Sequence, residues 1–461
     1  MNLRGSLYVR KSQNILSELE RNCEMGEAVL NAYAQQLVDL TLNKTRYDKW
    51  DLQWYVEGPF WRRTCMKFSR TYKQIPDYEI GDMKHGKSLK DILEEGEVLY
   101  KNLIAYSENA SEDEEARVNY LIENVGNLVF RSRMLMGEKF TFDEMTDGLY
   151  NVVCPETDYK LFDDIKEEIN NALPWQGSFT DKIKKFRDSI RIPRESLLKV
   201  LTDTTKWWHD SAVANMDVTG NSMPRVRVRE LADPNWVFIS ILFGYDYNHI
   251  EYERNFNLLY PWTPEKVIEY IGHEMEPGHL TCFEKRTQKF IDECWPEMSV
   301  ISQHSGANSL GEGSARYAST LSFNNSMEEK VEFEKEYIFK PSGIDMGLAE
   351  LMPLWHKYCE IADFGKLEAS RHDWNGDWNE SKIIDFVESY GFVNVGEGRS
   401  LINTFKTDDP GHYVAHYYAR EIVKEYFQSL EIPISEQWKV YEKLCSSHAT
   451  LKSLVDRKVK L

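Results

Sequence analysis

Apolar positions recur with a helical period over most of the chain, at Leu89–Tyr106, Asp113–Met134, Asp163–Leu173, Pro193–Asn215, Gly343–Arg371 and Ile434–Lys458. That pattern predicts a mainly α protein, a large helical fold. The period changes between residues 221 and 260. Arg225–Leu231, Val237–Phe243 and His249–Asn257 read as short strands, with turn residues at Asp233-Pro234-Asn235 and Gly244-Tyr245-Asp246, so a small β-sheet is expected there. The next element is a helix with a strong start signal. Thr263 stands at the N-cap, Pro264 at the first helical position and Glu265 in the first turn, and Val267, Ile268 and Ile271 form its apolar face. His372–Trp378 and Ser302–Gly311 have the composition of surface loops.

The chemistry of the chain is concentrated at the end of that helix, in Gly272-His273-Glu274-Met275-Glu276-Pro277-Gly278-His279. Two imidazoles six residues apart would point about 120° apart on a straight helix, too far to share a ligand. Pro277 has no N–H to give to the carbonyl of His273 and clashes with it, and Gly278 permits backbone angles closed to other residues. A break at Glu276–Gly278 is therefore expected, returning His279 to the side of His273 as a second metal ligand. Glu274, beside the first ligand, is then placed to act as general base. The plain alternative is a helix stop followed by a surface histidine.

A zinc-like site needs a third protein ligand. Glu312 is the candidate, because Gly313, Ser314, Ala315 and Ala318 would let its helix pack closely on the motif helix; an ion pair with Arg316 one turn on is the competing assignment. Further on, Asp409 and Pro410 open a helix on which His412, His416 and Arg420 recur every four residues beside Tyr413 and Tyr417. His416 or Tyr417 is a candidate donor to a developing oxyanion. Arg420, Arg316 and His412 are candidates for holding substrate, the arginines by a bidentate grip on a carboxylate. A solvated polar face is the alternative.

HExxPGH followed some thirty residues on by EGxAxY resembles the signature of the DUF885 family of predicted zinc metallopeptidases, which are gluzincin-like. The resemblance runs from about Tyr247 to Phe323, including the approach Asn257–Glu265, and more weakly covers the Pro410-Gly411 helix. It implies His273, His279 and Glu312 as ligands of one zinc ion and Glu274 as general base. Three positions depart from the family: Glu276 replaces an apolar or aromatic residue, Leu280 a second histidine, and Ser314 a bulky residue. They surround the metal positions and bear on substrate.

Other candidates carry less. His304, His356 and His372 lack ligand-spaced partners and read as structural or surface residues. Arg225, Arg227 and Arg229 share one strand face, read as solvated. Trp207 and Trp208 read as core.

Composition sets the limits. With 461 residues, 42% of them hydrophobic, the chain can bury a large core. No clean linker divides residues 1–217, an N-terminal helical region, from 218–461, the region carrying the metal motif. A net charge of −19 argues against nucleic acid or anionic membrane as partners. The longest apolar run, Trp236–Phe243, is too short to span a bilayer, and the N-terminal residues lack a signal-type apolar core. Seven scattered cysteines without a CxxC pair fit free thiols in a reducing compartment, so a cytoplasmic location is expected. Together these features predict a zinc-dependent hydrolase acting on a peptide or small amide, with exopeptidase action favoured by the arginines. A metal-dependent lyase or oxidase on a reused scaffold is the alternative, and a peptide-binding protein that has lost catalysis a third. Oligomeric state is left open.

Overall fold

The computed structural model describes residues 28–48, 51–56, 64–65, 86–218, 223–231, 237–246, 249–407 and 411–459. The chain is mainly helical, as its periodicity predicts, with two three-stranded sheets among the described residues. In the sheet next to the motif, the His249–Asn257 strand lies in the middle, parallel to Arg225–Arg229 and antiparallel to Phe238–Asp246. Gly244, Tyr245 and Asp246, expected as a turn, instead continue the strand and pair with Glu251, Ile250 and His249. A register shift between Leu242 and Gly244 marks the place where glycine is tolerated, as a bulge. The other expected turn, Asp233-Pro234-Asn235, lies outside the described residues. Arg225, Arg227 and Arg229 are exposed, as expected of a solvated face.

Several helix boundaries differ from the pattern for identifiable reasons. The Ile434–Lys458 stretch divides into Ile434–Ser446 and Leu451–Val455, because Thr450 caps a new helix by accepting from the backbone of Ser453. Residues 343–371 begin with a 3₁₀ segment, Met346–Leu351, before the Met352–Asn375 helix. That helix extends through most of the expected His372–Trp378 loop and ends at Gly376, whose φ of 67° is the left-handed stop that glycine accepts. Residues 306–311 are also helical rather than loop. Ser305 caps them, accepting from Asn308, so Glu312 sits well inside the Gly306–Leu321 helix.

One core cluster joins residues from Phe142 to Leu454, and a smaller one holds Leu30 to Leu128 between the first helices. Residues on both sides of position 218 share the larger core. Trp208, fully buried, contacts Phe323 and Phe333 edge-on at 5.8 and 5.0 Å. It also fills the space left by the missing side chain of Gly272, where a Cβ would meet the Trp208 ring at 2.9 Å and Ser319 Cβ at 2.8 Å. This glycine thus sets the close approach of the motif helix Pro264–Glu274 to both the Arg194–Asn215 and Gly306–Leu321 helices. Four of the cysteines are free thiols, Cys154, Cys282, Cys359 and Cys445, but Cys294 is disulfide-bonded, contrary to the all-thiol expectation. No described helix is long and apolar enough to cross a membrane.

A buried charge network ties the early helices to the C-terminal ones. Arg117 donates to both oxygens of Glu297, from Nε at 2.6 Å and from Nη2 at 3.0 Å, while His448 Nε2 stands 2.9 Å from Glu297 Oε1. Burial alone would raise the Glu297 carboxyl, but hydrogen bonds from His448 and Arg117 hold it down at about 2, against 4.5 for an ordinary glutamate. A carboxyl with a depressed folded pKa stabilises the fold above its unfolded pKa and loses that contribution as pH falls toward the folded one. Thermal melts should therefore show stability lost between about pH 4.5 and 2. Removing one partner of a buried pair costs about 3–5 kcal/mol. Arg117→Met should lower stability at pH 7 by that order; an unchanged melt would show that the network contributes no net stability.

Candidate metal centre

The motif helix ends at Glu274, and the next helix, His279–Glu293, begins five residues later. The expected break is present. Met275 leaves helical geometry with ψ at −141°, and the Glu276–Pro277 peptide is cis. Gly278 is required by close approach: a Cβ there would lie 1.9 Å from the carbonyl oxygen of His273. The turn is held from outside as well. Tyr441 donates its hydroxyl to the Pro277 carbonyl at 2.7 Å, and buried Glu276 bonds His209 Nδ1. The outcome is that the His273 and His279 rings meet edge-on with centroids 4.5 Å apart. Phe283, one turn on, stacks at 5.4 Å on the far ring and fixes its plane.

Glu312 is the centre of the site. Its Oε2 lies 3.1 Å from His273 Nε2, 3.1 Å from His279 Nε2 and 3.0 Å from His416 Nε2. All four side chains are buried. Arg316, the competing partner in the sequence, turns instead to Glu269, donating from Nη1 to Oε1 at 3.2 Å. Gly313 serves a contact different from the one expected: its missing Cβ would strike the carbonyl oxygen of Ala419 at 2.6 Å, so it brings in the C-terminal helix that carries His416 rather than the motif helix.

Electrostatics follow from this crowding. Burial, then the neighbouring His279, push His273 down to about 4. Burial would raise Glu312, but His279 and His416 override it and hold the carboxyl well below the ordinary range. His279 is raised: burial opposes its charge, and Glu312 outweighs burial.

One ligand atom from each of His273, His279 and Glu312 falls within 4.8 Å of the others. Ligand atoms about 2.0–2.1 Å from a tetrahedral zinc ion are separated by roughly 3.3 Å, which the 3.1 Å spacings approach. His416 adds an independent sign. Its Nδ1 stands 2.8 Å from the carbonyl oxygen of His412, a partner that can only accept, so Nδ1 carries the proton. Nε2 then faces the Glu312 carboxylate oxygen at 3.0 Å, either with a second ring proton or with a lone pair. Two acceptors at that distance require a cation between or beside them, a proton or a metal ion. The residues present fit a zinc-like ion.

Glu274 approaches the same point. Its Oε1 is 3.8 Å from His273 Nε2, while buried Arg254 donates from Nη1 to Oε2 at 2.9 Å and from Nη2 to the Glu274 carbonyl at 3.2 Å. Against the burial that would raise it, Arg254 and then the two histidines hold the Glu274 carboxyl down. Arg254 is absent from the residues singled out by sequence. The signal was there: alternation along His249–Asn257 puts Arg254 on the same face as the fully buried Phe256, and a charge on an apolar strand face implies a buried partner.

A cleft of about 720 Å³ opens onto His273, lined by Arg316, Arg420, His412, Tyr413 and Tyr417 among others. All three predicted substrate-holding residues thus stand along it. Tyr417 lies under Arg316, with Cζ 4.9 Å from the ring centroid, whereas His416 is the one that touches Glu312. Asp409 and Pro410, expected to open this helix, lie outside the described residues.

A second buried group, Asp48, Asp51 and His304, also has metal-like spacing. Here each carboxylate already has a cation, Arg131 Nε at 2.6 Å from Asp48 and Lys44 Nζ at 3.1 Å from Asp51. A metal would have to displace both, so the cluster is a structural ion-pair network that fastens the Ala28–Lys44 helix. His356 pairs with Glu334 at 2.8 Å, and His372 stacks on Trp378 at 3.8 Å, structural roles as expected.

No family model and no curated protein matches the chain. Among solved structures it is similar to one titled "putative lipoprotein from Colwellia psychrerythraea", with 10% identity over 80% of this chain and 69% of that one and a TM-score of 0.46. It is also similar to "a putative lipoprotein of unknown function from Shewanella oneidensis", with 13% identity over 81% and 73% of the two chains and a TM-score of 0.43.

Proposed function

We propose that the protein is a zinc-dependent hydrolase that cleaves a peptide or small amide bond, with His273, His279 and Glu312 holding the ion. The observation that carries this is the convergence of three imidazole Nε2 atoms on one buried carboxylate oxygen, with a second carboxylate, Glu274, held by Arg254 at the edge of the same point. When bound, zinc supplies Lewis acidity and lowers the pKa of water. Glu274 takes the proton of the attacking water as its oxygen adds to the amide carbon, and returns it to the amine nitrogen as the C–N bond breaks. His416, with its Nδ1 proton committed to the His412 carbonyl, donates to the developing oxyanion from Nε2 when that nitrogen is protonated as well, since only an N–H stabilises the charge. Tyr417 lines the cleft and supports Arg316.

Metal analysis of purified protein, followed by assay on a panel of dipeptides and acyl-amino acids, tests the proposal. Bound zinc with no amide hydrolysis would favour the lyase or oxidase alternative. The ligand assignment has its own test. Glu312→Ala is expected to weaken zinc binding strongly in a chelator competition, whereas Arg316→Ala leaves it unchanged because Arg316 is paired with Glu269. The reverse result would remove Glu312 from the ligand set.

A further inference from the structure

The Gly306–Leu321 helix and the segment through Ala419–Ser429 pack against each other at Gly313 and Ala419. Each carries a residue of the metal layer followed four positions later by an arginine: Glu312 and Arg316 on one, His416 and Arg420 on the other. On the Gly306–Leu321 helix four residues advance the backbone about 6 Å, so Arg316 leaves it roughly one turn beyond the metal layer, and Arg420 follows the π-helical turn by the same number of residues. Lys330, from the Met327–Glu334 helix, lines the same cleft.

These cations have capacity left over. Arg316 Nε and Arg420 Nη2 are buried donors without a hydrogen-bond partner among the described residues. The acids nearby are mostly engaged: Glu269 by Lys266 and Arg316, Asp363 by Lys366, and Glu421 by Arg420 and Lys424. Glu360 remains, and it faces both Arg420 and Lys330.

The distance selects a substrate. From an attacked amide carbon, three bonds of about 1.3–1.5 Å lead through nitrogen and Cα to the carboxyl carbon of the next residue. A hydrogen bond of about 2.9 Å then reaches a guanidinium. The total is about 6 Å, of the order of that one-turn step, while one more residue would add over 3 Å.

We propose that Arg316, Arg420 and Lys330 form a subsite for the free α-carboxylate of the substrate, so that the enzyme removes a single C-terminal residue. In the reaction, water and the peptide give a shortened peptide carboxylate and a free amino acid. The proposal rests on the hydrolase assignment above, and its test separates the two.

Binding of N-acetyl-phenylalanine and of its carboxamide is measured calorimetrically on the purified protein, with and without chelator. Hydrolysis of an N-blocked dipeptide is compared with that of its C-terminal amide. Charge-assisted hydrogen bonds predict about ten- to a hundredfold preference for the free acid in both measurements. Arg420→Gln should erase the preference, and Lys330→Met should reduce it if the arginine variant fails to fold. Equal binding of acid and amide would overturn the carboxylate subsite whatever the activity. Acid-selective binding without any hydrolysis would keep the subsite and overturn the hydrolase.

Discussion

His273→Ala and His279→Ala are each expected to leave the purified protein with almost no zinc, where the unaltered chain carries about one ion. The loss should be near complete because each variant removes one of three protein ligands and leaves Glu312 beside a cavity. Metal affinity in such a site depends on the full donor set. Both variants should remain folded without metal, since the motif helix is fixed by Val267, Ile268 and Ile271 in the core and by Trp208 against Gly272. Elemental analysis with a parallel thermal melt makes the comparison. Full zinc occupancy in both variants would show that these imidazoles do not hold metal.

Glu274→Gln should give the opposite dissociation of properties, with zinc retained and turnover reduced by about 10²–10⁴. The substitution preserves shape. The amide oxygen can still accept from Arg254 Nη1, now 2.9 Å from Glu274 Oε2, so the loop stays in place while the base is lost. A drop in kcat with little change in KM is the expected signature, because the proton is transferred only in the transition state. Activity equal to that of the unaltered protein would reduce Glu274 to a structural partner of Arg254.

What the sequence made legible was local. Pro277 and Gly278 announced a break from their own backbone chemistry, and Glu312 could be singled out by the small residues after it. The Gly306–Leu321 helix does pack on the motif helix, with Ser319 against Gly272, but the partner of Gly313 was not legible. Gly313 looked like a seat for the motif helix and instead admits Ala419, over a hundred residues away, because nothing in one helix tells which neighbour its small face will meet. Arg254 and His209 were missed for the same reason: each acts on the motif through a contact between elements distant in sequence. The choice between His416 and Tyr417 also required the structure. On an ideal helix adjacent residues differ by about 100°, and only the observed packing shows which of the two faces Glu312.

The turn that aims His416 at Glu312 also limits how far this segment can change in length. Val414–Tyr418 is a π-helical turn, closed by the Ala419 N–H reaching back to the Val414 carbonyl, so it holds one residue more than an α-helical turn would. The surplus residue is taken up inside the turn, where five residues cover about the rotation that four cover in an α-helix. A one-residue deletion there would let the helix relax to the commoner α form with His412 and Arg420 keeping nearly the same relative phase, while His416, inside the turn, would be re-aimed relative to both. The length of this turn, apart from the identity of its residues, therefore decides whether an imidazole meets the Glu312 carboxylate.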